Sequence, residues 1–235
     1  MTEQARIHGR PFDYPYEGEL EPARTALLII DLQVDFLSAD GYFARKGYDP
    51  APLRAILPNV TALAAAARRA GCLVIFTRQG YRADRAEMTP YERWRRRRAG
   101  LDRPDDPASE VLLRGRPGFD IVPELPVEDG DVVVDKTANG AFCDTDLAAV
   151  LRARRITHLL FTGCTTDVCV HSTLREAADR DYQCLLVEDA CASGDAYAHQ
   201  AAVHMVTVED GIFGVVAPTQ AVLGAFTALD RSQSC

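Results

Sequence analysis

Three residues of this chain could do chemistry together: a carboxylate, Asp31, an ammonium, Lys136, and a thiol, Cys169. Asp31 closes the apolar run TALLIID, Lys136 closes DVVVDK, and Cys169 follows THLLFTG within the stretch FTGCTTDVCVHSTLREAADRD. A cysteine in the first turn of a helix meets free backbone N–H groups and the positive end of the helix dipole, which favour a thiolate. A lysine lowers the thiol pKa further, and a carboxylate accepts its proton. The same N–H groups can hold the oxyanion of a tetrahedral intermediate. The plain alternative is a cysteine packed behind a sheet, as most cysteines are.

Other chemistries fit the stretch less well. Cys164, Cys169 and His171 lack a second ligand pair at zinc-site spacing, so no metal is expected. Cys164 and Cys169 have four residues between them, where a redox pair normally has two. His199 and His204 are five apart, share no helix face well, and read as ordinary helix residues.

The elements that must position the three residues alternate along the chain. Residues 25–31, 72–78, 131–136, 157–163, 183–189 and 211–216 read as strands, most of them apolar enough to be buried on both faces. Helices are expected over about 53–70, closed by Gly71, over 144–155, over 168–180, over AYAHQAAVHMVT, and at the C-terminus. Residues 1–24, with Pro11, Pro15 and Pro22, read as an irregular arm. Residues 79–125 read as a surface excursion with short helices. The pattern predicts one α/β domain over 1–235, with a six-stranded, mainly parallel sheet covered on both faces. Such sheets bind ligands beyond the carboxyl ends of their strands, where Asp31, Lys136 and the loop to Cys169 all fall.

Composition narrows the function classes. With 26 basic and 34 acidic residues the net charge is −8, which argues against a nucleic-acid binder. The run ERWRRRRAG is expected to be a solvated helix face or a subunit contact. No apolar run is long enough to span a membrane, and the polar start lacks a signal-peptide core, so a cytoplasmic protein is expected. Seven cysteines, an odd number in a long chain, predict small buried hydrophobes and not a disulfide framework.

The segments LLIIDLQVDF, VVVDKTANGAFCDTDL and GCTTDVCVHSTLREAADRDYQCLLVEDACAS together resemble the isochorismatase-like cysteine hydrolases, over about Leu27 to Val216. The resemblance implies a Rossmann-like three-layer sandwich and a triad of Asp31, Lys136 and Cys169. It further implies a non-proline cis peptide at Cys164–Thr165, an oxyanion hole from the N–H groups of Thr165 and Cys169, and a tetramer. Isochorismatases proper lack the cysteine, so Cys169 points to an amide hydrolase. Nicotinamidases carry an Asp-x-His metal site after the second strand, where this chain has TRQGYRAD; neither zinc nor any other cofactor is expected. The finer likeness is to biuret hydrolases, through YPYEG, DGYFARKGYD, RWRRRR, TTDVCV and GIFG, with Glu209 standing where those enzymes have glutamine.

The expected reaction is therefore hydrolysis of the terminal carbamoyl C–N bond of a small linear ureide, triuret or biuret, with release of ammonia. Glu209, expected at the mouth of the site, would favour triuret, because a carboxylate accepts two N–H donors. Phe36 and Phe142 are expected to wall the pocket, the alternative being plain core. Arg78 is expected to bind substrate carbonyls, the alternative being a surface salt bridge. Rival functions are an N-carbamoylsarcosine- or ureidoacrylate-type amidohydrolase, and a catalytically idle binding or scaffold protein.

Overall fold

The computed structural model of the chain describes residues 5–102 and 109–232. Its strands are β1 (Thr25–Ile30), β2 (Leu73–Gln79), β3 (Val132–Lys136), β4 (His158–Cys164), β5 (Gln183–Ala192) and β6 (Val215–Ala217). They form one sheet in the order β3-β2-β1-β4-β5-β6, with every pairing parallel. All of β1 is buried because alternate side chains enter two cores. Leu27 and Ile29 join Phe76 and Leu160 on one face; Leu28 and Ile30 join Ile75 and Phe161 on the other.

The helices, in chain order, begin with α1 (Val34–Leu37), α2 (Tyr42–Arg45), α3 (Ala51–Ala55), α4 (Leu57–Ala70) and α5 (Pro90–Arg98). Then come α6 (Leu147–Ala153), α7 (His171–Ala178), α8 (Ala196–Val206), the short turn α9 (Val208–Gly211) and α10 (Thr219–Ser232). α4 and α10 pack over the first face, while α6, α7 and α8 cover the second. In α4 the buried residues Val60, Leu63, Ala64, Ala67 and Ala70 recur every three or four positions, which makes a single apolar stripe. Gly71, at φ 83°, ends the helix as expected. Among the described residues no helix is long and apolar enough to cross a membrane.

Several boundaries differ from the sequence reading, each for a local reason. The helix expected over 53–70 is broken at Ile56, because Pro58 has no N–H to continue a helix and sits instead in the first turn of α4. β5 runs on to Ala192 through Glu188 and Asp189, whose polarity suggested an end. Both are absorbed locally: Glu188 pairs with Arg10 at 2.6 Å, and Asp189 Oδ1 accepts the N–H and hydroxyl of Thr219 at the start of α10. β6 begins at Val215, not near 211, because Gly211 and Gly214 adopt φ of 92° and 138° and turn the chain. The arm is tied down: Ile7 pairs with Tyr14, and Arg10 pairs with Val216, covering the edge of β6. In the arginine run of α5, Arg96 is buried and donates to the carbonyls of Leu101 and Val111. Of the cysteines, 72, 164, 169, 184 and 191 are buried and Cys143 is exposed; Cys235 lies outside the described residues.

The strand order reverses between β1 and β4, which places a crevice at their carboxyl ends. Gly163 lets the two strands approach there: it has φ 109°, and a Cβ on it would lie 2.1 Å from Ile30 O. Gly163→Ala is expected to cost about 2–4 kcal/mol or to prevent folding, from overlap with backbone plus a left-handed φ. Gly224→Ala, in helix α10 with nothing within 4 Å of the added methyl, is expected to gain about 0.5–1 kcal/mol. Urea denaturation of the two variants measures both.

Candidate active site

Local chain geometry aims each of the three sequence-selected residues at the crevice. Asp31 follows β1 at φ 52°, a left-handed conformation uncommon outside glycine but tolerated by aspartate. Its N–H is held by Thr77 of the neighbouring strand, through the carbonyl at 3.3 Å and the hydroxyl at 3.2 Å. Thr77 Oγ1 in turn donates to Asp31 Oδ1 at 2.6 Å. Lys136 ends β3, two strands away, and its long side chain crosses beneath β2 to bring Nζ within 2.7 Å of Asp31 Oδ2. Both side chains are wholly buried.

The ammonium pairs with Oδ2 at 2.7 Å. It also donates to Gln79 Oε1 at 2.7 Å and to the carbonyls of Ala138 and Asn139 at 3.2 and 3.1 Å. A neighbouring proton donor therefore meets a carboxylate that is already held in place.

That donor is Cys169, whose thiol interacts with both Asp31 and Lys136. The chain leaves β4 through the cis peptide Cys164–Thr165 and enters a wide turn, Thr166–Val170, before α7 begins. A regular helix from 168 was expected; the structure has a π-type turn there, in which the N–H groups of Val168 and Val170 both bond Thr165 O. Thr173 Oγ1 holds Cys169 O at 2.7 Å, and itself accepts from Ala141 N at 3.1 Å. On the other side Thr166 Oγ1 and His199 Nδ1 are 2.9 Å apart. The Thr165 N–H has no partner among the described residues, so it is free to meet a developing oxyanion.

Burial decides the resting protonation of the cluster. It pushes the Cys169 thiol up to about 12; Lys136 opposes this and the Asp31 carboxylate reinforces it. The expected thiolate at the helix start is therefore not the resting state, because desolvation outweighs the lysine. For Lys136, burial lowers the pKa, but Asp31 and then Cys169 reverse the effect and raise it, so the ammonium stays charged. A protonated thiol beside an ion pair can act as a nucleophile only by passing its proton to Asp31 as it attacks.

Cys169 opens on a cavity of about 700 Å³ that Thr165, Gln79, Asn139, Phe36 and Tyr81 also line. Phe36 forms part of the wall, edge-on to Tyr42 at 5.8 Å between ring centroids. Three other expected site residues lie elsewhere. Arg78 turns away, since Thr77 and Gln79 take the site face of β2 and alternation sends Arg78 to the other; it pairs with Asp135 at 2.7 Å and stacks over Phe119. Phe142 is core, packed against Tyr182 beneath Arg180. Glu209 is exposed in α9, in the connection from α8 to β6. Such a connection returns the chain to the amino ends of the strands, opposite the cavity. Thr77, Gln79, Thr173 and His199 escaped the sequence reading; for Thr77 and Gln79 the alternation of β2 was the available signal. Among the described residues no group of three or more His, Cys, Asp or Glu side chains could hold a metal ion.

Residues 25–221 match the family model described as the isochorismatase domain. The chain belongs to the isochorismatase family. The ureidoacrylate amidohydrolase RutB of Klebsiella pneumoniae subsp. pneumoniae is 32% identical over 219 residues, 91% of each chain. A cysteine hydrolase from Pseudomonas syringae pv. phaseolicola superposes with a TM-score of 0.78 at 25% identity, covering 97% of this chain and all of its own. N-carbamoylsarcosine amidase from Thermoplasma acidophilum shares the fold, with a TM-score of 0.62 at 22% identity over 83% of this chain and 96% of its own. The finer likeness to biuret hydrolases rests on the sequence motifs alone.

Two outcomes check the site. Ultraviolet thiolate absorbance, taken as wild type minus Cys169→Ser, is expected to show no step below about pH 10, because the thiol is raised above its ordinary value near 8.5. A step near neutral pH would mean that lysine outweighs burial. Activity is expected to survive EDTA dialysis in full, measured against a zinc-supplemented control.

Proposed function

We propose that the chain is a cysteine amidohydrolase that cleaves the terminal carbamoyl C–N bond of a small linear ureide, triuret or biuret, and releases ammonia. The observation that carries the reading is the buried Asp31–Lys136 pair beside the Cys169 thiol, which opens on the cavity. As Cys169 Sγ bonds to the terminal carbonyl carbon, its proton passes to Asp31 Oδ2. The Thr165 and Cys169 N–H groups receive the carbonyl oxygen as it becomes an oxyanion. Collapse breaks the C–N bond, and Asp31 returns the proton to the departing ammonia. Asp31 then takes a proton from water, whose oxygen attacks the S-carbamoyl carbon. The C–S bond breaks, the thiol is re-protonated from Asp31, and an N-substituted carbamic acid leaves. Lys136, held charged, orients Asp31 and stabilises the thiolate as it forms.

A second reading, a ureide ending in a carboxylate, is favoured by the 32% identity to a ureidoacrylate amidohydrolase and by Lys46, which lines the cavity. Ammonia release from triuret, biuret, ureidoacrylate and N-carbamoylsarcosine separates the two readings. Silence on all of them would favour an idle scaffold. Cys169→Ala and Asp31→Asn are each expected to lower ammonia release at least ~100-fold with the circular dichroism spectrum retained, since a nucleophile or general base contributes at least that much. Either variant keeping more than about a tenth of wild-type activity would remove its residue from the mechanism.

A further inference from the structure

The cavity is larger than one carbamoyl group requires, so its far wall must take part in choosing the substrate. That wall comes from the loop between β2 and α5, and it carries Glu87. Among the described residues, two carboxylate oxygens are enclosed without a directed hydrogen bond: Asp31 Oδ2, which pairs with Lys136 at 2.7 Å, and Glu87 Oε2, which has no ion pair either. The first faces the thiol. The second belongs to the wall of the cavity into which the thiol opens. A carboxylate oxygen shut away from water without a donor is costly, and a ligand N–H relieves that cost.

The surroundings of Glu87 are built to hold it. Its other oxygen, Oε1, accepts the N–H of Arg82. Ala86 N donates to Asp84 Oδ1 at 3.1 Å, and Asp84 is fixed by a two-bond pair with Arg82. The next residue, Met88, is buried with Tyr81 and Leu113. Among the described residues Glu87 forms no ion pair: Arg82 pairs with Asp84 and Arg95 with Glu92. The terminal torsion of a glutamate is broad, so either oxygen can turn to the cavity while the other keeps the Arg82 N–H. The remaining acids of the lining are differently engaged or placed: Glu92 holds Arg95, Asp195 caps α8, and Asp167 is exposed.

We propose that Glu87 is a specificity-determining residue of this site: its carboxylate accepts the N–H groups of the ureide units beyond the one cleaved. This rests on the reading of the chain as a ureide amidohydrolase and deepens it. Two consequences follow from the charge. A longer neutral ureide, with N–H donors at its far end, is favoured over a short one. A ureide that ends in a carboxylate is disfavoured, because it sets like charge against Glu87. The role once expected of Glu209 falls to a carboxylate that borders the cavity.

The test is steady-state ammonia release from triuret, biuret and ureidoacrylate by wild type, Glu87→Gln and Glu87→Ala. For triuret, kcat/KM is expected to fall about tenfold or more in Glu87→Ala, the scale of one charge-assisted hydrogen bond, with the loss mainly in KM. The fall should be smaller for Glu87→Gln, which keeps one acceptor, and smaller for biuret in both variants. Ureidoacrylate hydrolysis should rise in both. Calorimetric titration of triuret into Cys169→Ala, with and without Glu87→Gln, should show the same weakening without turnover. Equal falls for triuret and biuret, or an unchanged ratio, would overturn the assignment of Glu87 while leaving a ureide hydrolase standing. Wild-type silence on all three substrates would overturn both.

Discussion

The buried ion pair of Asp31 and Lys136 is the constraint on which the site depends. Two charges removed from water are tolerated only where their mutual attraction and further hydrogen bonds compensate the lost hydration. Here the compensation is supplied by β2 and the loop after β3: Thr77 on one carboxylate oxygen, and Gln79, Ala138 O and Asn139 O around the ammonium. Gln79 is itself held, receiving Gln33 Oε1 on its N–H and donating to Thr137 O. The pair therefore ties the ends of β1, β2 and β3 together and fixes the Asp31 carboxylate beside the thiol. Breaking such a pair by removing one partner typically costs about 3–5 kcal/mol, because the other charge is left buried alone.

The same pair governs the thiol. A cysteine buried this deeply would be inert without help, and its pKa lies far above neutral even with a lysine beside it. Burial holds the thiol neutral at rest, its pKa raised above the ordinary value despite the lysine. The turn carrying Cys169 is correspondingly pinned from both sides, by Thr173 below and by His199 across from Thr166. Positioning here rests on hydrogen bonds between elements far apart in sequence.

Fold and reacting groups are thus separable from substrate choice. The Pseudomonas syringae cysteine hydrolase and this chain superpose over nearly their whole lengths, and the fold is shared with a protein named for another substrate, N-carbamoylsarcosine amidase. In this chain the cavity wall is built by the excursion after β2 and by the α1–α2 segment, where Phe36, Tyr42, Tyr81 and Glu87 stand, apart from the buried pair. A shared scaffold can in this way support several chemistries.

The sequence by itself determined the sheet, the helical layers and the identity of the three central residues. Continuous apolar runs such as TALLIID and THLLFTG are too short for buried helices and read as buried strands, and Asp31, Lys136 and the Cys169 loop follow from where those runs stop. Arg78, Phe142 and Glu209 show the limit of that reading. Residue type alone made them candidates, but strand alternation turns Arg78 away, Phe142 enters a core shared with Tyr182, and Glu209 lies at the other end of the sheet. Which side of a strand faces a cavity, and whether a polar atom finds a partner, depend on distant segments meeting. Glu87 could not be distinguished from any surface glutamate until Arg82 N had taken one of its oxygens and the fold had enclosed the other. Likewise, the balance between burial and the lysine at Cys169 was decided by depth, a property that only the packed tertiary structure possesses.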